Sequence, residues 1–156
     1  MNPSPTPELT VGPATRDDAE AVAALLALIM RQHGLVPRSE GVNRAINDVF
    51  DHPEWARFVV ARRGGVVVGM LTLVRSYSTW AAAPFATVDD FIVLPGEREQ
   101  GVGRALMTQA VTMARDAGCA RLELNVEEDN ERAQAFYRTF GFAQQTRFLY
   151  SYAIKS

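Results

Sequence analysis

Apolar positions recur along this chain in two periods, one near 3.6 and one of 2, and the switches between them mark its elements. Leu9, Val11 and Pro13 predict a short strand that ends at Thr15, a helix N-cap followed by Asp17 and Asp18 in the first turn. Val22, Leu25, Leu26 and Ile29 then keep a helical stripe, and Gly34 is placed to stop it. Val42, Ala45, Ile46, Val49 and Phe50 predict a second, shorter helix that ends before His52 and Pro53. Phe58 to Ala61, the Gly64-Gly65 pair and Val66 to Val74 read as a hairpin rich in β-branched residues. Thr87 to Leu94 is a further strand, broken by Pro95-Gly96 before a helix from about Gly103 to Ala117. Arg121 to Val126 predicts a short strand, and Asn130 caps a helix carrying Ala133, Phe136, Tyr137 and Phe140 on one face. Phe142 to Ile154 supplies one or two final strands, for an order β α α β β β α β α β. Helices interleaved with strands predict an α/β or α+β sheet with helices packed on its faces.

Composition narrows the function without choosing it. The 156 residues suit one domain, expected over 9–156 after a Pro-spaced tail at 1–8 that is expected to be disordered. Sixteen Lys and Arg against eighteen Asp and Glu give a net charge of −2, which argues against nucleic acid as a partner. The apolar run from Ala21 to Met30 is about half of the roughly 20 residues that span a bilayer, and the N-terminus lacks the pattern of a secretion signal. A cytoplasmic protein without membrane contact is therefore expected. Cys119 is the single cysteine, so an internal disulfide is excluded. Cys119 has no neighbouring His in the sequence and reads as structural, and His33 and His52 show no ligand spacing, so no metal is expected.

The most informative stretch runs from Asp89-Asp90 through Arg98, Gly101 and Gly103 to Arg104: strand, glycine loop, helix. Unpartnered N–H groups and the dipole at the start of a helix favour a diphosphate, and glycines let it approach the backbone. A Walker loop is excluded because Arg104-Ala105 follows Gly103, and the dinucleotide fingerprint fails at Leu106. Arg98-x-x-Gly101-x-Gly103, together with Asn130-x-x-Ala133-x-x-Phe136-Tyr137-x-x-Phe140-Gly141-Phe142, resembles the GCN5-related N-acetyltransferases (GNAT), and the resemblance covers nearly the whole chain.

That resemblance implies the acyl-CoA N-acyltransferase fold, a mixed and mostly antiparallel central β-sheet flanked by helices. Acetyl-CoA would lie in a gap where the strand at Asp89–Leu94 splays from that at Arg121–Val126. By position, Gly101, Val102, Gly103 and Arg104 would hold the pyrophosphate, with Arg98 adding charge. Ile92 and Val93 would pair with the pantetheine, one of their N–H groups serving as oxyanion donor, and Asn130 would reach the cofactor's other end. Glu99 departs from the family, where Gly is often found, and sets a negative charge beside the pyrophosphate.

The chemistry requires a proton acceptor, because an alkylamine with a pKa near 10 is protonated at neutral pH. Adjacent strand side chains face opposite sides, so one of Asp89 and Asp90 looks into the cleft. Phase with Thr87 and Phe91 favours Asp89, a bulge would select Asp90, and Glu123 on the neighbouring strand is the reserve. Tyr137 is matched to the proton donor for the leaving sulfur; its place on an apolar face also allows a core role. The resemblance implies a small primary amine as acceptor, with a protein lysine or N-terminus, or a non-catalytic acyl-CoA-binding module, as the other readings; without a placed Cys nucleophile, the amine is expected to attack the thioester directly in a ternary complex. A homodimer is also implied. Tyr77, Trp80 and Phe85 suit either an acceptor pocket or a dimer surface, and the segment from Gly34 to Gly41 carries no readable pattern.

Overall fold

A computed structural model describes residues 6–154. Five strands form one sheet in sequence order: β1 (Leu9–Pro13), β2 (Ala56–Arg63), β3 (Val66–Ser78), β4 (Ala83–Val93) and β5 (Leu122–Leu124). Neighbours are antiparallel except β4 and β5, which are parallel because a helical crossover joins them. The helices are α1 (Ala19–Gln32), α2 (Ser39–Asp51), α3 (Val102–Asp116) and α4 (Glu131–Thr139), with single 3-10 turns at Arg16–Asp18 and Pro95–Glu97. This is the mixed, mostly antiparallel sheet flanked by helices that the family resemblance implies. None of the described helices is long and apolar enough to cross a membrane.

The chain divides into one compact unit ending at Leu124 and a second beginning at Asn125. In the first, both faces of the sheet are buried. Val22, Leu25, Val42 and Ile46 of α1 and α2 pack with Phe58, Val60, Met70 and Ile92 on one face. On the other face α3 comes unusually close to β3. A Cβ placed on Gly69 would lie 2.9 Å from the carbonyl oxygen of Ile92 and 3.2 and 3.3 Å from Leu106 and Val102. Only glycine fits there, and its absent side chain seats the first turns of α3 on the sheet. Met70 and Leu71, adjacent and fully buried, serve opposite faces, each contributing roughly 1.5–3 kcal/mol.

The second unit holds α4. Asn130 Oδ1 accepts from the Ala133 N–H at 3.1 Å, the cap expected from the sequence. The final strands expected over Phe142 to Ile154 are not formed: residues 142–154 have no regular secondary structure. Phe148, Tyr150, Tyr152 and Ile154 do alternate, but all are more than 80% exposed. Period-2 alternation supplies a face, whereas a strand also needs a partner for its backbone groups. Of the tail expected at 1–8, residues 1–5 lie outside the described residues, and the carbonyls of Pro7 and Glu8 accept from Arg63 and from the Gly64 N–H at 3.3 and 3.2 Å.

One junction escaped the sequence reading. Asp18, expected as a first-turn acid, is buried and locks the start of α1 onto β2. Its carboxylate accepts from the Thr15 N–H at 2.7 Å and from Arg62 at 2.5 and 3.3 Å. Burial alone would raise its pKa, but the Thr15 N–H and the Arg62 guanidinium outweigh it and hold it below the ordinary 3.8. A lowered carboxyl pKa contributes stability that is complete above the ordinary value and is lost as pH falls through the lowered one. Asp18→Asn is therefore expected to cost about 2–4 kcal/mol in urea unfolding at pH 7, with the deficit shrinking below pH 4.

Candidate active site

Strand β4 changes face at a bulge, and the site is built around that change. Leu73 pairs with Val88 but Leu71 pairs with Phe91, so Thr72 alone stands opposite both Asp89 and Asp90. Before the bulge, Val88 is in register with Leu73 and so shares its face, the one occupied by α3. After it, Ile92 is in register with Met70 and lies in the core beneath α1 and α2. Asp90 therefore falls on the α1–α2 face, where regular alternation from Val88 would have sent it to the other.

There Asp90 lines a pocket of about 430 Å³ with Leu26, Ile29 and Met30 of α1, Gly41, Val42 and Ala45 of α2, and Val36 and Arg38 of the intervening loop. The hydroxyl of Thr72, itself buried, donates to Asp90 Oδ2 at 2.7 Å. Burial pushes the Asp90 pKa up, the Thr72 hydrogen bond opposes this, and the charge of Asp89 adds to it, so the carboxyl sits above 3.8. Asp89, which the strand phase favoured, is exposed and does not line this pocket. Glu123, the reserve, is in register with Thr87 and ion-paired to Arg121, which also covers the Phe85 ring.

The bulge also marks where β4 loses a neighbour. Pairing with β5 extends only over Ala86 to Val88, so from Asp89 to Val93 that edge carries no ladder to β5. The Leu94 N–H donates to the Val68 carbonyl at 2.9 Å, and antiparallel alternation then places Ile92 in ladder contact with Met70. Of the two residues expected to face the pantetheine, Val93 thus directs its backbone toward the opened edge while Ile92 is engaged with β3. The Val93 carbonyl accepts from Arg98 Nε at 3.2 Å, tying the following loop to the strand.

That loop leads to the N-terminus of α3. Arg63 holds Glu97 at 2.7 Å, and Gln100 Nε2 donates to the Gly96 carbonyl at 2.9 Å. Gly101 caps the helix in the left-handed region, φ 80°, with nothing within 4 Å of where its Cβ would stand. The helical ladder begins with the Ala105 N–H on the Gly101 carbonyl at 3.0 Å, leaving the N–H groups of Val102 and Gly103 outside it. Arg104 follows on an exposed position. Glu99 also has a left-handed backbone, φ 62°, the conformation that glycine adopts without strain.

In the second unit, Asn130 is exposed and its side-chain oxygen is committed to the cap of α4. Tyr137 is half-buried among Phe136 and Phe142, its ring centroid 5.5 and 5.9 Å from theirs, and burial raises the hydroxyl's pKa above 10.0. Tyr77, Trp80 and Phe85 do not line the pocket at Asp90: β3 and β4 continue through Tyr77 and Phe85, and Trp80 stands on the hairpin loop between them, 99% exposed. Sequence reasoning missed Thr72 and Arg38. Neither carries a motif, and only the register of β3 and the path of the α1–α2 loop bring them to Asp90.

The family model for the acetyltransferase (GNAT) family matches residues 22–142. Streptothricin acetyltransferase of Streptomyces lavendulae is 38% identical over 86 residues, 55% of this chain and 43% of that protein. N-alpha-acetyltransferase RimI of Mycobacterium tuberculosis is 33% identical over 138 residues, covering 88% of this chain and 80% of its own. The chain spans about half the length, or less, of several curated relatives it matches. Among solved structures, an aminoglycoside N-acetyltransferase in complex with CoA superposes with a TM-score of 0.83 at 15% identity, over 98% of this chain and 99% of the other, a likeness of fold. With a family model matched from α1 to the end of α4 and this fold beneath it, the chain belongs to the GNAT acetyltransferase family.

Proposed function

We propose that this chain is an acetyl-CoA-dependent N-acetyltransferase that acts on a primary amine of a small molecule by direct attack in a ternary complex. The bulge at Asp89–Asp90 carries the proposal: the same extra residue sets a carboxylate into a pocket on one face and frees the strand edge that leads to the α3 N-terminus. Acetyl-CoA, when bound, supplies the acetyl thioester. The Val102 and Gly103 N–H groups, with the α3 dipole, suit its pyrophosphate, and Gly101 leaves the approach open. A structural neighbour in complex with CoA supports acetyl-CoA as the cosubstrate.

Asp90 is the base in this reading. A carboxyl pushed above its ordinary pKa is a stronger acceptor for an ammonium proton than an exposed one, and Thr72 fixes which oxygen is turned inward. The Val93 N–H is the donor aimed at charge developing on the thioester oxygen. Tyr137, protonated at neutral pH as an ordinary phenol and with its pKa pushed further up by burial, is the proton donor to the departing sulfur. Curated relatives named for streptothricin and aminoglycosides favour small-molecule acceptors, and the N-alpha-acetyltransferase relative favours a peptide N-terminus as the second reading.

Asp90→Asn should lower kcat/KM by roughly 10²–10⁴-fold in a thiol-release assay, and Tyr137→Phe should lower it as well. The acid limb of the wild-type pH profile should lie above 3.8 and vanish in Asp90→Asn. Because a raised carboxyl pKa gives stability that is lost as pH rises through it, Asp90→Asn should not lower the melting temperature at pH 7. Undiminished turnover in both variants would remove the assigned roles. For the loop, titration calorimetry should show tighter acetyl-CoA binding in Glu99→Gly, which relieves a left-handed backbone and removes a negative charge. Gly103→Pro should weaken binding by removing an N–H.

A further inference from the structure

The pocket at Asp90 carries more information than the presence of a base. Its wall is made by Leu26, Ile29, Met30, Val42 and Ala45, and Val36 on the loop leaves 84% of its surface in solvent. Among the described residues only two charged side chains reach the lining, and they are of opposite sign: Asp90 and Arg38. The Arg38 guanidinium makes no hydrogen bond or ion pair among the described residues, whereas Arg16, Arg62, Arg63 and Arg121 are all paired with acids. At about 430 Å³ the pocket lies toward the small end of ligand sites, which run roughly 300–1,000 Å³.

Resting on the acetyltransferase reading, we propose that the acceptor is a small amphipathic zwitterion: an apolar body with one amine, directed to Asp90, and one anionic group, directed to Arg38. A polycationic amine fits this lining poorly. One carboxylate answers one ammonium, and each further cation would meet either apolar wall or the positive charge of Arg38. An alkylamine without an anionic group fills the wall but leaves the guanidinium without its partner. The anion thus supplies selectivity, and the wall supplies affinity.

The test uses the intact chain with acetyl-CoA and a matched set of amines. Leucine and 6-aminohexanoate carry the carboxylate near to and far from the amine; leucinamide and hexylamine lack it; spermidine is the polycation. The better of the two acids should exceed its counterpart without the carboxylate, and spermidine, by at least about tenfold in kcat/KM and in affinity by titration calorimetry. Arg38→Lys should keep most of that ratio, Arg38→Ala should bring it close to one, and Arg38→Glu should invert it, with circular dichroism confirming that each variant is folded. If leucinamide, hexylamine or spermidine binds as well as the acids, or the ratio survives Arg38→Ala, the proposal is overturned whatever the turnover. Arg38-dependent binding of an acid without acetyl transfer would uphold this pocket and sink the catalytic reading instead.

Discussion

A single extra residue in β4 sets the terms for the rest of this molecule. Antiparallel pairing fixes side-chain direction with a period of two, so a strand buried on both faces cannot redirect one residue without redirecting all that follow. Opposite Thr72 the chain accepts that consequence: Val88 before the bulge serves the α3 face, and Ile92 after it serves the α1–α2 face. Asp90 is the residue at which the exchange occurs. A carboxylate there is half-buried, hydrogen-bonded by a buried hydroxyl and turned toward a pocket, three conditions that an exposed strand end does not meet.

The opposite edge of β4 obeys the same constraint. Twist increases at a bulge, and the partner strand β5 follows β4 for only three residue pairs before the two part. The edge so opened leads directly to a helix whose position is set by Gly69, because any larger residue there would hold Val102 and Leu106 off the sheet. A carboxylate on one face and helix N–H groups at the end of the same strand are thus held by backbone geometry and close packing rather than by flexible side chains.

Much of this was legible in the sequence because it depends on local patterns. Periodicity located the helices and the hairpin, Gly103 and Asn130 marked helix starts to within a residue, and Arg98, Gly101 and Gly103 identified the loop. What was not legible depends on register. The alternation around Thr87 and Phe91 favoured Asp89, and nothing in the letters Asp-Asp records that two residues share one partner across the strand. Asp18 looked like a helix-start acid, yet its partner Arg62 is supplied by a strand far along the chain. The one or two strands expected over Phe142 to Ile154 lack a ladder.

The division of labour at the pocket has an evolutionary corollary. The proposed base Asp90 and the helix N–H groups proposed for the cofactor are fixed by the bulge and by the close seat of α3, where substitutions disturb packing across the whole sheet. Arg38, proposed to choose the acceptor, sits with Val36 on an exposed connection between two helices that bears little of the core. A lineage can therefore exchange one acceptor for another by altering a few loop residues while the reaction machinery is inherited intact, and sequence drift should be fastest where specificity is decided.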